Sequence, residues 1–240
     1  MLPSEKPNSE YIRGMFDRLA PRYDIFNHLT SLGMATSWRK ETLRDVSNGM
    51  KVLDLGCGTG DLSLGALQKI GDSGEVTGLD FSPQMLAIAK TRCAKAGFNG
   101  RHGLKFIEAS AEALPVEPGL YDLIVSGFVL RNLYENIDAI LRGVHASLKN
   151  GGKISFLDIT DPENRTVGVL WKAYMNSVVA FYGKILFGKD YPVFYLTQSA
   201  ERFLKAKDFV KKLGETGFVE IETQSFMFGT VTLYRARKIS

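Results

Sequence analysis

At 240 residues, 45% hydrophobic and 23% charged, the chain has the composition of a globular protein with room for one large domain and additions, which excludes wholesale disorder. The formal charge of +4 is too small to imply nucleic acid by itself; residues 161–212 carry nine Lys or Arg against five Asp or Glu, and the remainder is balanced. Both a solvated face and attraction to an anionic membrane surface fit that local excess.

The first residues lack a basic stretch followed by an apolar run, which predicts no secretory signal peptide and a cytoplasmic location. Residues 11–47 place Tyr11, Met15, Phe16, Leu19, Tyr23, Ile25, Phe26 and Leu29 at mixed three- and four-residue spacings, so short amphipathic helices broken at Pro21 are expected. From Lys51 the pattern changes to short apolar runs between helical stretches. Strands are predicted at 51–55, 75–80, 104–109, 121–127 and 153–159, with helices near 61–70, 84–96 and 136–149. After Ile159 the alternation stops, and Leu170, Trp171, Tyr174, Met175, Val178, Val179, Tyr182, Ile185 and Leu186 form an apolar stripe at helical spacing; Lys172 and Lys184 interrupt it, against a membrane span. A helix over Lys207 to Glu215, ended by Gly217, then leads to FVEIETQSF and TVTLYRARK around Phe228-Gly229, an expected antiparallel hairpin. The fold class is therefore α/β, a doubly wound, mostly parallel seven-stranded sheet with a C-terminal hairpin. One domain is expected, divided into an N-terminal helical cap (1–47), a ligand-binding core (48–160), an inserted helical cap (161–206) and a C-terminal helix and hairpin (207–240).

The chemistry centres on VLDLGCGTG, residues 52–60, where a strand runs into Gly56, Gly58 and Gly60 and then a helix. Glycines permit positive φ and let a ligand lie against bare backbone, and the helix N-terminus offers amide donors. Two ligand classes use such a turn; dinucleotide enzymes favour GxGxxG, one residue longer, so the spacing departs from the nicotinamide pattern. Asp80 ends the second strand twenty residues after Gly60, where a carboxylate can accept ribose hydroxyls; Ser110, Ala111 and Glu112 follow the third strand, where an adenine would lie. Asp54 either orients an ammonium group or caps its strand. Phe81 and Met85 complete the candidate cofactor set on the segment after the second strand. Cys57 and Cys93 are expected as reduced thiols, and no metal-type Cys or His cluster is present.

At these residues the chain resembles the quinone C-methyltransferases of ubiquinone and menaquinone biosynthesis, a branch of the class I methyltransferases. The resemblance rests on residues 16–41, 52–64, 78–86, 125–133, 148–162 and 195–205, with Tyr23-Asp24 and Arg131-Asn132 its most specific parts. FYGKILFGKDYPVFYL is more similar to the menaquinone enzymes. The resemblance implies S-adenosylmethionine contacts at Thr59, Asp80, Ser110, Ala111 and Ser126. His28 stands where the family usually has Asp, Ala35-Thr36-Ser37 precede Trp38 where it has His-Arg, and Asp158 replaces a family Glu.

Arg131 and Asn132 follow the fourth strand at the edge where open α/β sheets bind ligands, and either stabilise a quinolate oxygen or cap the next helix. Tyr23 and His28 are the other candidates on the N-terminal helices, as ring cover and base or as packing, and Asp158 is the fifth. His102 and His145 are read as surface or structural. The apolar stripe, with Phe194 and Tyr195, is a candidate for receiving a prenyl tail or meeting a bilayer surface. The expected acceptor is a prenylated quinol or related aromatic small molecule rather than nucleic acid, since no Asn-Pro-Pro-aromatic run exists to hold a flipped base. A soluble aromatic acceptor and a quinone-binding protein without turnover remain alternatives, and the oligomeric state is open.

Overall fold

The structure is a computed structural model that describes residues 9–101, 103–114, 117–188, 191, 198–199, 201 and 203–239. The seven strands are β1 (Lys51–Leu55), β2 (Glu75–Asp80), β3 (Leu104–Glu108), β4 (Tyr121–Gly127), β5 (Leu148–Ile159), β6 (Phe218–Phe226) and β7 (Val231–Lys238), in the order β3-β2-β1-β4-β5-β7-β6. The pairs from β3 to β5 are parallel; β7 runs antiparallel between β5 and the edge strand β6. The expected mostly parallel sheet with its hairpin is thus present.

Alternation along the strands divides the core between the two faces of the sheet. Leu53, Leu55, Ile124 and Phe156 point to a layer containing α6 (Ile137–Ser147) and α9 (Ala206–Thr216), while Val52, Leu123 and Val125 point to one containing α4 (Asp61–Leu67) and Cys93 of α5 (Pro83–Cys93). Ser82 caps α5 by accepting the Met85 N–H at 3.1 Å, with Pro83 at the first helical position. One boundary differs from expectation. β5 begins at Leu148, five residues early, because Leu148 already pairs with Tyr121 and the next paired residues are Lys153 and Leu123; Gly151, at φ +74°, lies in the intervening bulge.

The N-terminal helices are α1 (Ser9–Leu19), α2 (Tyr23–Thr30) and α3 (Ala35–Thr42), with a 3₁₀ turn carrying Pro21 between the first two. In the second helical segment, α7 (Arg165–Tyr174) passes through a π-helical turn, Met175–Val179, into α8 (Ala180–Phe187). Here the apolar stripe splits. Trp171, Met175 and Val179 pack with Phe26 and Tyr191, whereas Leu170, Phe181 and Ile185 face solvent. Among the described residues no helix is long and apolar enough to cross a membrane. His102, Phe194 and Tyr195 lie outside the described residues.

Between β1 and β4 the chain order reverses direction across the sheet, so the loops leaving their carboxyl ends open a crevice. The β1–α4 glycine loop and the β4–α6 segment meet there.

Candidate active site

The glycine loop is built by left-handed backbone: φ is +69° at Gly56, +51° at Gly58 and +85° at Gly60. A Cβ on Gly56 would stand 2.5 Å from Val129, and one on Gly60 would stand 2.9 Å from the Ala89 side chain, so both positions are closed to other residues by packing as well as by φ. At Gly58 a Cβ would meet nothing within 4 Å. The backbone there faces open space.

That space is a cavity of about 350 Å³, within the range of small-molecule sites. Asp54, Gly56, Gly58 and Thr59 line it from β1 and its loop; Asp80, Phe81 and Met85 from β2 and α5; Ser110, Ala111 and Glu112 from the segment after β3. Gly60 and Ser126 do not. Gly60 shapes the turn from behind, and the buried Ser126 hydroxyl donates to the Leu55 carbonyl at 2.7 Å, tying β4 to β1.

Two buried carboxylates give the cavity its electrostatic character. Asp54 Oδ2 accepts from Ser63 Oγ at 2.6 Å, while its Oδ1 is buried without a hydrogen-bond partner. Burial pushes the Asp54 carboxyl up to about 7, against the lowering effect of Ser63. Asp80 accepts the Gly58 N–H at 2.8 Å and the Ser82 N–H at 2.9 Å; burial raises its pKa too, opposed by those backbone donors.

The N-terminal helices are fastened over this loop by Asp24 and Thr59, which the resemblance marked, and by Asp17, Arg39, Asp61 and Arg92, which the sequence did not single out. Asp17 accepts from Ser82 Oγ at 2.5 Å. Asp24 accepts from Thr59 Oγ1 at 2.6 Å and pairs with Arg92 at 3.0 Å, and Arg92 also donates to the Thr59 carbonyl and pairs with Asp61 at 2.6 Å. Arg39 adds an ion pair to Asp61 at 3.1 Å. For Asp17 the only signal was a carboxylate on an otherwise amphipathic helix, which a single sequence gives no reason to separate from a solvated side chain.

Below α1 and α2 lies a second, apolar cavity of about 120 Å³. Phe16, Tyr23, Phe128 and Arg131 line both cavities, so the two share a wall. Arg131 is its charged member. Its guanidinium donates to Asp158 Oδ1 and to the Phe128 carbonyl, both at 2.7 Å, and its backbone N–H donates to Asp158 Oδ2 at 3.1 Å; both side chains are buried. Phe128, another residue the sequence left unmarked, sits at φ +65°, an uncommon conformation for a bulky side chain, held by its N–H to Leu157 at 2.7 Å. Asn132 lines the larger cavity. Asp158 lies behind Arg131 and lines neither; His28 is exposed, rests its ring against Gly33 and also lines neither.

A sequence profile of the ubiE/COQ5 methyltransferase family matches residues 4–238. The chain belongs to that family. This methyltransferase is 31% identical over 230 residues to a demethylmenaquinone methyltransferase of Lactiplantibacillus plantarum, covering 95% of each chain, and 32% identical over 236 residues to one of Lactococcus lactis, covering 97% of this chain and 92% of that one. Among solved structures it is similar to a SAM-dependent methyltransferase from Aquifex aeolicus (TM-score 0.60, 16% identity, 84% of this chain and 89% of that one) and to the cyclase SpnF (0.69, 17%, 97% of each). These two likenesses concern the fold, and a cyclase among them illustrates that the fold does not fix the reaction.

The methyltransferase's larger cavity fits S-adenosylmethionine. The orphaned Asp54 oxygen suits an ammonium group, Asp80 keeps lone pairs for ribose hydroxyls, the bare Gly58 backbone admits close approach, and Phe81, Met85 and Ala111 supply apolar walls for a base.

Proposed function

We propose that this methyltransferase moves the methyl group of S-adenosylmethionine to a ring carbon of a reduced, prenylated quinol, with demethylmenaquinol the preferred acceptor. The observation that carries the reading is the shared wall: a cavity with two buried carboxylates suited to the donor and an apolar cavity suited to the acceptor's apolar side meet at Phe16, Tyr23, Phe128 and Arg131, where the ring would lie. The names of the two relatives support the naphthoquinol over other rings.

When bound, S-adenosylmethionine supplies an electrophilic methyl group on a cationic sulfur. The protein's part is to hold that methyl and the acceptor carbon in line at near-attack distance, which the fastened α1 and α2 helices do by closing over both cavities. The acceptor must be reduced. An ionised hydroxyl pushes electron density onto the adjacent ring carbon, whereas the oxidised ring is electron-poor. Arg131, which lines both cavities, would stabilise that oxygen through its guanidinium, and Asp158 is its positioning residue. Tyr23 covers the ring and Asn132 supplies a polar group from the donor side. Once the carbon–methyl bond forms and the carbon–sulfur bond breaks, the same ring carbon would lose its proton to water, restoring aromaticity. Transfer is expected with dithionite-reduced demethylmenaquinone under anaerobic conditions and absent with the oxidised compound; equal transfer to both would overturn the mechanism.

A lipid-borne acceptor calls for peripheral contact with a bilayer, and Leu170, Phe181 and Ile185 are exposed near Lys172 and Lys184 on the helical segment Arg165–Phe187. Co-sedimentation with anionic vesicles is expected, reduced by raised salt; protein that stays in the supernatant at low salt would contradict this contact.

A further inference from the structure

The apolar cavity is small and has an identifiable mouth. A dry cavity of about 150 Å³ takes a benzene ring, so the 120 Å³ here holds a group of about that size and not a polyprenyl chain. Of the described residues lining it, Leu32 and Met227 are the exposed ones, at 67% and 38%, and the neighbouring Phe228 is 89% exposed. Large apolar side chains in water at the rim of an apolar cavity call for an apolar ligand to cover them.

The backbone points the same way. Five non-glycine residues among those described have positive φ, and four of them are Leu32 (+51°), Phe128 (+65°), Met227 (+47°) and Phe228 (+57°). Three line this cavity and the fourth adjoins its rim. Bulky side chains are rare in that conformation; at Met227 and Phe228 it makes the turn between β6 and β7, and with Leu32 and Phe128 it fixes where these apolar side chains stand around the cavity.

We propose that this cavity holds only the first isoprene unit of the acceptor's side chain and that the rest of the chain leaves the protein past Leu32 and Met227. The proposal rests on the quinol reading above. It makes the enzyme selective for a prenylated ring yet indifferent to tail length, with the distal tail remaining in lipid.

The molecule carries its own probe. Both of the chain's tryptophans, Trp38 and Trp171, line the cavity, so quenching of their fluorescence by oxidised naphthoquinones reads occupancy without turnover. Three ligands would be titrated: a tail-free 1,4-naphthoquinone and its homologues with one and four isoprene units. The one-unit compound is expected to bind at least about tenfold tighter than the tail-free one, since five carbons leave water, and the four-unit compound within about threefold of the one-unit compound. In Leu32→Asn, Met227→Asn and the double variant, the four-unit ligand alone should weaken, by up to about threefold, losing any advantage over the one-unit ligand; asparagine tolerates positive φ, so the turns are kept. Affinity that climbs steadily with tail length, or rim variants that weaken all three ligands alike or none of them, would overturn the proposal. Absence of saturable quenching by any naphthoquinone would instead overturn the quinol reading, and this inference with it.

Discussion

Replacing Arg131 by glutamine should lower methyl transfer by roughly 10²–10³, the usual cost of losing a group that stabilises a developing oxyanion, and should also destabilise the fold. The destabilisation arises because Asp158 would be left as an unpaired charge in a site closed to water. Breaking a buried pair from one side costs about 3–5 kcal/mol, most of it the stranded partner's desolvation. The two effects separate in Arg131→Gln/Asp158→Asn. Asp158 now accepts the residue-131 backbone N–H on Oδ2 and the Ile159 N–H on Oδ1; the single amide oxygen of asparagine can keep one of these, and its NH2 can donate to the glutamine at 131. Urea unfolding should show most of the lost stability restored, while single-turnover transfer stays as low as in the single variant. Recovery of activity along with stability would mean that Arg131 serves only to hold the β4–α6 segment in place.

The second large effect is expected at Asp54. Its carboxyl is buried, bonded to Ser63 on one oxygen only and pushed up to about 7, so near neutral pH the free protein is divided between its ionised and protonated forms. A cationic ammonium group binds the ionised form. Affinity for S-adenosylmethionine should therefore fall by up to about tenfold per unit as pH drops from 7 to 5.5, and Asp54→Asn should weaken it at least about thirtyfold at pH 7.5, as loss of one partner of a buried charged pair does. Stability of the free protein moves the other way. A carboxyl whose folded pKa lies above its unfolded value of 3.8 favours folding when protonated, so its contribution is full below about pH 4, is lost as pH rises to about 7 and is constant beyond. The loss is on the order of 4 kcal/mol, and it should vanish in Asp54→Asn, where the amide keeps the Ser63 bond without the charge. Calorimetric titration for binding and thermal unfolding across pH for stability test both halves. An affinity that does not change over this pH range, or equal pH slopes of stability in the two proteins, would contradict the assignment.

Much of this was legible in the sequence because it is local. Alternating Val52, Leu53 and Leu55 mark a strand with both faces buried, positive-φ glycines at 56, 58 and 60 mark the turn that must follow, and Asp54 and Asp80 are the carboxylates such a turn brings together. What stayed hidden depends on contacts distant in sequence. Asp24 meets Thr59 across 35 residues and Arg92 across 68, and no spacing rule connects them. The apolar stripe of α7 and α8 was visible, but it is wider than the face the fold buries: Trp171, Met175 and Val179 lie on the buried side, whereas Leu170, Phe181 and Ile185 face solvent. His28 is placed by the same long-range packing. Its position in the chain made it a candidate base, yet α2 turns Tyr23 towards the cavities and leaves His28 outside. The early start of β5 has a similar origin, since Lys149 to Gly152 carry turn chemistry that the sheet absorbs as a bulge.

The most direct test of the account is transfer of an isotopically labelled methyl group from S-adenosylmethionine to chemically reduced demethylmenaquinone, with a demethylated ubiquinone precursor and a tail-free naphthol in parallel and the label located by NMR. The account predicts a carbon-bound methyl on the naphthoquinol ring and slower transfer to the other two acceptors. Label on oxygen, or no label on any reduced quinol although S-adenosylmethionine binds, would contradict it.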